Sequence, residues 1–269
     1  PDERVNILLV DSEEAAYRAT PKGHGHRRVP GRIGRAVVGG AAAESVAARK
    51  NRAFLLNSDR VELVAEGHYD YTEDGADTEL LPPRYSATLI AGIEAGQEVQ
   101  DSPTRKTVEV LGLENEYDKS DREEFINAGC IVFRRISGVG FVITQGINTL
   151  QKNLDLWERT SNSSPETSLT RIKDQFMDEL RMDAELLVPG ANPRRLHKAD
   201  VASLVLSHLS RGVQDGWFAS QEPDELHPNG RPAYDLPIIR KEGDAWYVDI
   251  CVRFNNPNNF LFFTMAVVG

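Results

Sequence analysis

The chain has 269 residues, of which 40% are hydrophobic and 27% are charged, and its formal net charge is −10 at pH 7. This composition is typical of a globular protein with a substantial core, and the length allows two domains. The negative charge argues against a nucleic-acid partner. The sequence has no apolar run of about 18 residues, which predicts that the chain does not insert into a membrane.

Charge is unevenly distributed in the first third of the sequence. Residues 18–52 are rich in arginine and lysine, whereas residues 62–79 are rich in aspartate and glutamate. Two solvated faces would explain this pattern, and so would complementary surfaces on neighbouring chains. The chain starts at Pro1 and enters an apolar strand almost at once, so we expect an N-terminal arm upstream of this sequence.

The first 150 residues alternate between strand and helix patterns. The continuous apolar run 5–10 predicts a strand covered on both faces, and the alanine-rich residues 41–52 predict a helix. Residues 70–83 are acidic and rich in turn formers, which predicts a surface loop. Short apolar runs predict further strands at residues 53–56, 60–65, 108–111, 130–136 and 141–147. The alternation favours an α/β fold with a mostly parallel sheet.

Two helices are predicted between these strands. The first starts near Tyr85, after a pair of prolines that favours a helix start. Its small residues Ala91, Gly92 and Ala95 predict close packing against the sheet. The second is acidic and is predicted to end at Gly129.

The polar segment 161–165 is the best domain boundary, and it predicts domains at residues 1–152 and 160–269. An apolar stripe at helical spacing predicts the first helix of the second domain. The stripe consists of Leu169, Ile172, Phe176, Leu180 and Leu187. A second helix is predicted at residues 198–210, with Gly212 as its C-terminal cap.

The chain closes with two predicted strands after a Pro/Gly-rich loop at residues 222–235. Residues 246–254 alternate between apolar and mixed side chains, as a half-buried strand does. Residues 260–268 are apolar on both faces, and the Asn/Pro-rich residues 255–259 would form the turn. An apolar strand of this kind needs cover from its own sheet or from a neighbouring chain.

The two cysteines, Cys130 and Cys251, both lie in strand-like apolar runs. This position predicts two buried, reduced thiols.

A subtilase-type catalytic triad is the strongest candidate for chemistry. Asp11 at the end of the first strand and His24 in a Gly-His-Gly-His sequence resemble the acid and the base of such a triad. When Ile90-Ala91-Gly92 is aligned with the subtilase helix, Arg84 stands where the serine nucleophile should be. We therefore predict that the chain is not an enzyme, and we assign no catalytic residue.

Other binding motifs are weak. His24 and His26 could share a metal ion with His68, but no further ligand stands at a set spacing, so no metal site is predicted. The Gly138-Val139-Gly140 sequence lacks the third glycine of a dinucleotide fingerprint, so it predicts a hairpin turn and no cofactor. An α/β hydrolase-like or nucleotide-binding enzyme is the alternative reading, and a structural adaptor that never polymerises is a third.

The succession of elements over residues 85–150 resembles the sheath proteins of contractile phage tails and related injection systems. It combines three motifs in order with short spacers, namely Ile90-Ala91-Gly92-Ile93-Glu94-Ala95-Gly96, Ser102-Pro103-Thr104, and a helix–Gly129–strand–turn–strand unit ending in Asn148-Thr149-Leu150. The two helices and two strands of residues 160–269 are similar to the closing domain of the same family.

The resemblance implies a subtilisin-like α/β domain without a catalytic triad, followed by a C-terminal α/β sheath domain with a closing β-hairpin. It implies a structural subunit that polymerises as stacked hexameric rings around a tail tube and contracts to drive the tube through a cell envelope. The implied partners are other copies of the chain, the tail tube protein, the baseplate and the tail terminator. The implied location is the virion tail, assembled in the host cytoplasm.

In this family, terminal arms of neighbouring subunits add strands to the sheet of the closing domain. We therefore predict that the closing strands belong to an intersubunit sheet, in which main-chain hydrogen bonds join two chains. The predicted members, called the closing-strand set below, are Tyr247, Val248, Asp249, Ile250, Cys251, Val252, Phe260, Leu261, Phe262 and Phe263.

Overall fold

The computed structural model describes the main chain of residues 7–10 and all atoms of residues 35–40, 44–150, 166–187, 196–223, 227–243 and 245–255. The described residues up to Thr170 form one compact unit, and those from Arg171 onward form a second. Within the described residues, no helix combines the length and the apolar character needed to cross a membrane.

The elements of the first unit alternate between strands and helices. In chain order they are β1 (Ile7–Val10), β2 (Arg35–Gly39), α1 (Val46–Leu56), β3 (Val61–Val64), β4 (His68–Tyr71), β5 (Thr78–Leu81), α2 (Pro83–Ala95), β6 (Thr107–Val108), β7 (Gly112–Leu113), α3 (Lys119–Ala128), β8 (Cys130–Ile131), β9 (Phe133–Ile136) and β10 (Gly140–Ile143).

A four-stranded parallel sheet of order β1-β2-β3-β8 forms the centre of this unit. Every residue of β2 and β3 is buried, as expected for parallel strands covered on both faces. Ala53 of α1 and Phe125 of α3 pack in one hydrophobic cluster, and Ile90 of α2 packs with Val37 in another. The mixed helix and strand fold expected from the sequence is thus confirmed.

Two small antiparallel sheets complete the first unit, with strand orders β6-β10-β9 and β5-β4-β7. The β4–β5 hairpin runs from residue 68 to residue 81 and covers most of residues 70–83, where the sequence predicted a surface loop, so that prediction was wrong. The pairs His68–Leu81 and Tyr71–Thr78 mark its two ends. The strands were missed because most of their side chains are at least partly exposed and an acidic turn separates them, so only the pairing identifies them as strands.

Helix α1 was predicted with the wrong bounds. It begins after Ser45, whose side chain accepts a hydrogen bond from the Ala48 N–H at 3.2 Å, and it continues through residues 53–56, which were predicted as a strand. Arg49, Ala53 and Leu56 are its buried residues. Their spacing of four and three residues is helical, and this periodicity overrides the local apolar run.

Helix α2 was predicted correctly, but its packing face was not. Gly92 and Ala95 are exposed and Ala91 is only half-buried. The buried residues of α2 are Pro83, Ser86, Ala87, Ile90 and Glu94. They repeat every three or four residues along the helix, so they form the stripe that faces the sheet, and the small residues lie beside it.

The close approach between α2 and the sheet depends on Gly39 at the end of β2. A Cβ atom at this position would overlap the main chain of Pro83 and Arg84. A Cβ atom at Gly92 would meet nothing within 4 Å. The glycine that matters for packing is therefore on the strand and not on the helix.

Several predicted strands are shorter in the structure. The predicted strand 108–111 is replaced by β6 and β7, which belong to different sheets. The predicted strand 130–136 is divided at Val132 into β8 and β9, and the strand predicted to end at residue 147 ends at Ile143. By contrast, Gly129 caps α3 with a positive φ of 87°, as predicted.

The second unit contains most of α4 (Thr167–Leu187), together with α5 (Lys198–Gln214), β11 (Ile238–Glu242) and β12 (Ala245–Asp249). The Phe218 ring packs against two other aromatic rings of this unit. Its centroid lies 5.2 Å from that of Phe176 and 5.8 Å from that of Phe254. Helix α5 continues past Gly212, so the predicted cap was wrong. A Cβ atom at Gly212 would overlap the Phe218 ring, which explains a glycine inside the helix.

The two cysteines differ in exposure. Cys130 is fully buried in β8, and burial raises the pKa of its thiol to about 12. Cys251 is exposed, so the prediction of a buried thiol was wrong for this residue, and neither cysteine forms a disulfide. The physical reason is that Cys251 lies on the outward face of an alternating strand segment.

Candidate assembly surfaces

The first six residues of the closing-strand set lie at and after β12. This strand pairs in antiparallel fashion with β11, which was not predicted, and the register places Tyr247 opposite Arg240 and Val248 opposite Ile239. The expected partner strand, residues 260–268 with Phe260, Leu261, Phe262 and Phe263, lies outside the described residues. The closing hairpin drawn from the sequence therefore stays a prediction, and the hairpin observed is β11–β12.

Exposure alternates along this segment as the sequence predicted. Trp246, Val248, Ile250 and Val252 are half-buried, whereas Tyr247 is 47% exposed and its alternating neighbours Asp249 and Cys251 are also exposed. Two cross-strand contacts support the β11–β12 pairing. Arg240 and Asp249 form an ion pair at 2.7 Å, and the Lys241 ammonium lies 5.2 Å from the centroid of the Trp246 ring.

Beyond β12, the chain continues to form main-chain hydrogen bonds on the edge that pairs with β11. The Asp235 N–H donates to the Cys251 carbonyl at 3.0 Å, and the Arg253 N–H donates to the Ala233 carbonyl at 2.8 Å. The Arg253 guanidinium donates to both carboxylate oxygens of Asp235, and this contact lowers the pKa of Asp235.

The second edge of β12 has no strand partner among the described residues, because the sheet there has the order β11-β12. Two residues separate Glu242 from Ala245, so these two form the first pair of a short hairpin. In an antiparallel pair, hydrogen-bonded and non-hydrogen-bonded positions alternate. The N–H groups of Trp246 and Val248 therefore point away from β11, toward the unpaired edge.

The catalytic hypothesis finds no support in the described part of the chain. Arg84 is exposed in the first turn of α2 and lies 5.2 Å from the centroid of the Tyr85 ring. A serine–histidine pair does occur, with His68 Nδ1 2.8 Å from Ser86 Oγ. These two residues are 2% and 0% exposed, so no substrate reaches them, and the pair joins β4 to α2. Burial lowers the pKa of His68.

Most of the other candidate catalytic and metal-binding residues lie outside the described part of the chain. Asp11, His24 and His26 belong to the part of the chain that is not described. Among the residues that are described, no group of three or more His, Cys, Asp or Glu side chains is arranged to hold a metal ion.

Some of the charged residues in the first third of the chain form ion pairs inside the first unit. Arg35 of β2 forms a buried ion pair with Glu62 and lies 3.4 Å from Glu94 of α2. Arg49 pairs with Glu114 at 2.8 Å. These ion pairs therefore stabilise the packing between elements. The sequence had suggested only solvated faces or surfaces complementary to a neighbouring chain.

The β4–β5 hairpin carries a surface that the sequence reasoning missed. Tyr69 and Tyr71 lie on one face of β4, and Leu80 lies opposite Tyr69 on β5. Their exposed fractions are 38%, 60% and 39%, respectively. We call these three residues the tyrosine face. Glu73, Asp74 and Asp77 lie in the turn that joins the two strands, whereas Asp70 and Glu79 pair with each other on the opposite face of the hairpin. The signal in the sequence is the alternation Tyr69-Asp70-Tyr71, which is typical of a strand.

A basic surface of the same unit was also missed. We define the basic cluster as Arg105, Lys106, Arg122 and Arg134. Burial, together with the positive charges of Arg105 and Arg122, lowers the pKa of the Arg134 guanidinium. Its Nε atom is buried and has no hydrogen-bond partner among the described residues. Lys106 is exposed. Three arginines that are distant in sequence thus act on one another.

The sequence and the structure were compared with known proteins. The family model of the phage tail sheath protein central domain matches residues 1–149. A tail sheath protein of Staphylococcus phage Twort is 24% identical over 196 residues, which cover 71% of this chain and 32% of that protein. The chain thus spans about a third of the length of this curated relative.

Solved sheath structures share the fold. The contracted helical sheath of the anti-feeding prophage matches with a TM-score of 0.62 and 16% identity, over 86% of this chain and 61% of that one. The sheath tail protein of Desulfitobacterium hafniense matches with a TM-score of 0.53 and 16% identity, over 71% and 41%. Because the family model covers more than half of the residues, the chain belongs to the phage tail sheath protein family, whose members are structural proteins and not enzymes.

Proposed function

We propose that this protein is a subunit of a contractile sheath, of a phage tail or a related injection system, that polymerises as stacked hexameric rings around a tail tube. Its strongest support is the family match over residues 1–149, together with a sheath-like fold over most of the chain. Contraction would drive the tube through a cell envelope. The contracted assembly would bury more interface than the extended one, because the transition has to be downhill.

The domain organisation in this proposal follows the boundary drawn from the sequence. Residues 1–152 form a subtilisin-like domain without a catalytic triad, and residues 160–269 form the closing sheath domain. The partners are other copies of the chain, the tail tube protein, the baseplate and the tail terminator. The place of action is the virion tail, after assembly in the host cytoplasm.

Subunits are joined, in this proposal, by an incoming strand at the unpaired edge of β12. The N–H groups of Trp246 and Val248 are positioned to donate main-chain hydrogen bonds to such a strand, and β-augmentation needs only main-chain groups for affinity. Half-buried and exposed side chains alternate along the edge, so an added strand would continue the same sheet.

Proline substitution at Val248 tests this edge. Val248→Pro removes the N–H that points away from β11 and leaves the hydrogen bonds between β11 and β12 in place. We expect a folded protein that fails to form tubes in electron micrographs. Val248→Ala is the matched control, because it shortens the side chain but keeps the N–H, and it should form tubes. Tubes of normal length from a folded Val248→Pro variant would exclude this edge as the docking site.

A further inference from the structure

Helix α1 has a second face, opposite its buried one, that is exposed and carries no charge. The exposed residues of the helix are Ala47, Ala48, Asn51, Phe54 and Leu55. At about 100° per residue, these positions fall within one arc of roughly 120°. Phe54 and Leu55 are 63% and 65% exposed. A surface helix normally presents charged residues to solvent, so a helix with little polar character on either face is expected to be covered.

The charged residues of α1 lie outside this arc and have partners in the same unit. Arg49 is buried with its carboxylate partner, as described above. Lys50 pairs with Glu124 at 2.6 Å, and Arg52 pairs with Glu44. The exposed face of α1 therefore offers no charge to a partner, and it fits an apolar one.

Segment 151–165 lies outside the described residues, and its first end is fixed beside α1. Thr149 Oγ1 accepts a hydrogen bond from the Ser58 N–H and donates one to the Ser58 carbonyl, each at 3.1 Å. The Thr149 N–H also donates to the Val61 carbonyl at 2.8 Å. Ser58 comes two positions after Leu56, the last residue of α1. The segment therefore starts next to the end of the helix that carries the exposed phenylalanine and leucine.

The second end of the segment is fixed at the same place. Glu166 forms an antiparallel bridge with Ile147, and the Thr167 N–H donates to the Gly146 carbonyl at 3.3 Å. The chain thus enters and leaves the 15 residues of segment 151–165 beside one short stretch of the first unit.

The first half of the segment carries large apolar side chains of its own. These are Leu154, Leu156 and Trp157, and the other residues are polar or charged apart from Pro165. The three follow Leu150 by four to seven residues, a reach of roughly 13–25 Å. Helix α1 has 11 residues and is about 16 Å long. The apolar residues can therefore reach the whole exposed face of the helix.

We propose that segment 151–165 docks on the exposed face of α1, with Leu154, Leu156 and Trp157 packed against Phe54 and Leu55. Aromatic and aliphatic side chains of this size supply most of the energy of an apolar contact, and two aromatic rings add a preferred geometry. The contact lies inside the first unit and holds the connection that leads to α4. It concerns one chain, so it does not rest on the proposed sheath function.

Cross-linking tests the contact without removing any of its apolar side chains. Asn51→Cys, in the middle of the arc, is combined with Glu158→Cys, next to the tryptophan, in a Cys251→Ser background that removes the exposed thiol. Cys130 is buried and stays. The control pair replaces the α1 cysteine by Thr88→Cys, at an exposed position of α2 on the other hydrophobic cluster. A short bismaleimide should link the test pair within one chain at least about tenfold faster than the control pair.

Removing the apolar face should abolish this preference. Phe54→Ser with Leu55→Ser, added to the cross-linking pair, should slow the link to the rate of the control pair. Tyr71→Ser with Leu80→Ser is the matched control, because it removes an exposed aromatic ring and an exposed leucine from another surface of the same unit. It should leave the rate unchanged, and circular dichroism verifies the fold of each protein.

Trypsin gives a second measurement that needs no cysteine. The segment contains Lys152 and Arg159, and a docked segment is cut slowly because the protease needs an extended, accessible chain. Cleavage at these two residues should be at least about tenfold faster in the Phe54→Ser, Leu55→Ser protein than in the wild type or in the matched control.

Each alternative outcome contradicts the contact. Equal linking rates for the test and control pairs, or no link at all, would show that the segment does not lie on α1. Links between chains would assign the face to a second copy. Equal trypsin cleavage in the wild type and in the Phe54→Ser, Leu55→Ser protein would overturn the proposal even if a cysteine variant failed to fold.

Discussion

Burial in the fold changes the protonation state of a single side chain, Glu66. It lies just after β3 and is 0% exposed, and its carboxylate accepts a hydrogen bond from the Phe133 N–H. Burial raises the pKa of Glu66 from 4.5 to about 8, although the Phe133 N–H and the positive charge of Arg49 oppose the shift. The carboxyl group is therefore protonated in the folded protein over much of the neutral range.

The stability of the protein should fall as the pH rises through this range. The folded state holds the proton of Glu66 up to a pH of about 8, whereas the unfolded chain releases it near 4.5. Between these values the unfolded chain binds fewer protons, so the free energy of unfolding decreases by up to about 1.4 kcal/mol per pH unit. The contribution of Glu66 to stability is fully present below pH 4.5 and is fully lost above about pH 8.

Urea denaturation at pH 5, 6.5 and 8 measures this effect. Glu66→Gln mimics the protonated carboxyl and should abolish this component of the pH dependence, so the wild type should lose more stability than the variant as the pH rises. Glu73→Gln, at an exposed position, serves as the control and should follow the wild type. Parallel curves for wild type and Glu66→Gln would show that the carboxyl ionises normally in the folded state.

At the scale of elements, the contact between β2 and α2 depends on one glycine. Gly39→Ala would push a methyl group into the main chain of Pro83 and Arg84, which cannot move as a flexible side chain would. We expect a loss of about 1–3 kcal/mol in the free energy of unfolding, as for other overpacked cores.

Gly92→Ala is the matched substitution on the helix side. This residue is exposed, and its Cβ would meet no atom within 4 Å. Alanine also favours a helix over glycine by about 1 kcal/mol, so this variant should melt at the same temperature as the wild type or above it. The packing account fails if thermal denaturation shows Gly39→Ala to be as stable as the wild type.

The position of helix α2 was predictable from the sequence, but the face that it buries was not. The proline pair and the apolar content were enough to predict a helix near Tyr85. The face was misjudged because small residues were taken as the contact, whereas the buried stripe includes Ser86 and Glu94. These polar side chains are buried because His68 and Arg35, which lie on strands, supply their partners. Such partners cannot be identified before the strands are in place.

For the whole molecule, the ordered succession of elements was predictable and the surfaces were not. The helix, Gly129 cap and strand–turn–strand unit follow from local chemistry that each segment carries by itself. Strand β11 has the sequence Ile-Ile-Arg-Lys-Glu, which shows no strand period, and it becomes a strand only by pairing with β12. The tyrosine face appears only when β4 pairs with β5, and the basic cluster joins arginines that are distant in sequence, so composition predicted neither surface.

Electron microscopy of the purified protein tests the central claim most directly, because a sheath subunit has to polymerise. The proposed function predicts hollow tubes built from stacked rings with sixfold symmetry. Single particles at every protein concentration and salt concentration would contradict it.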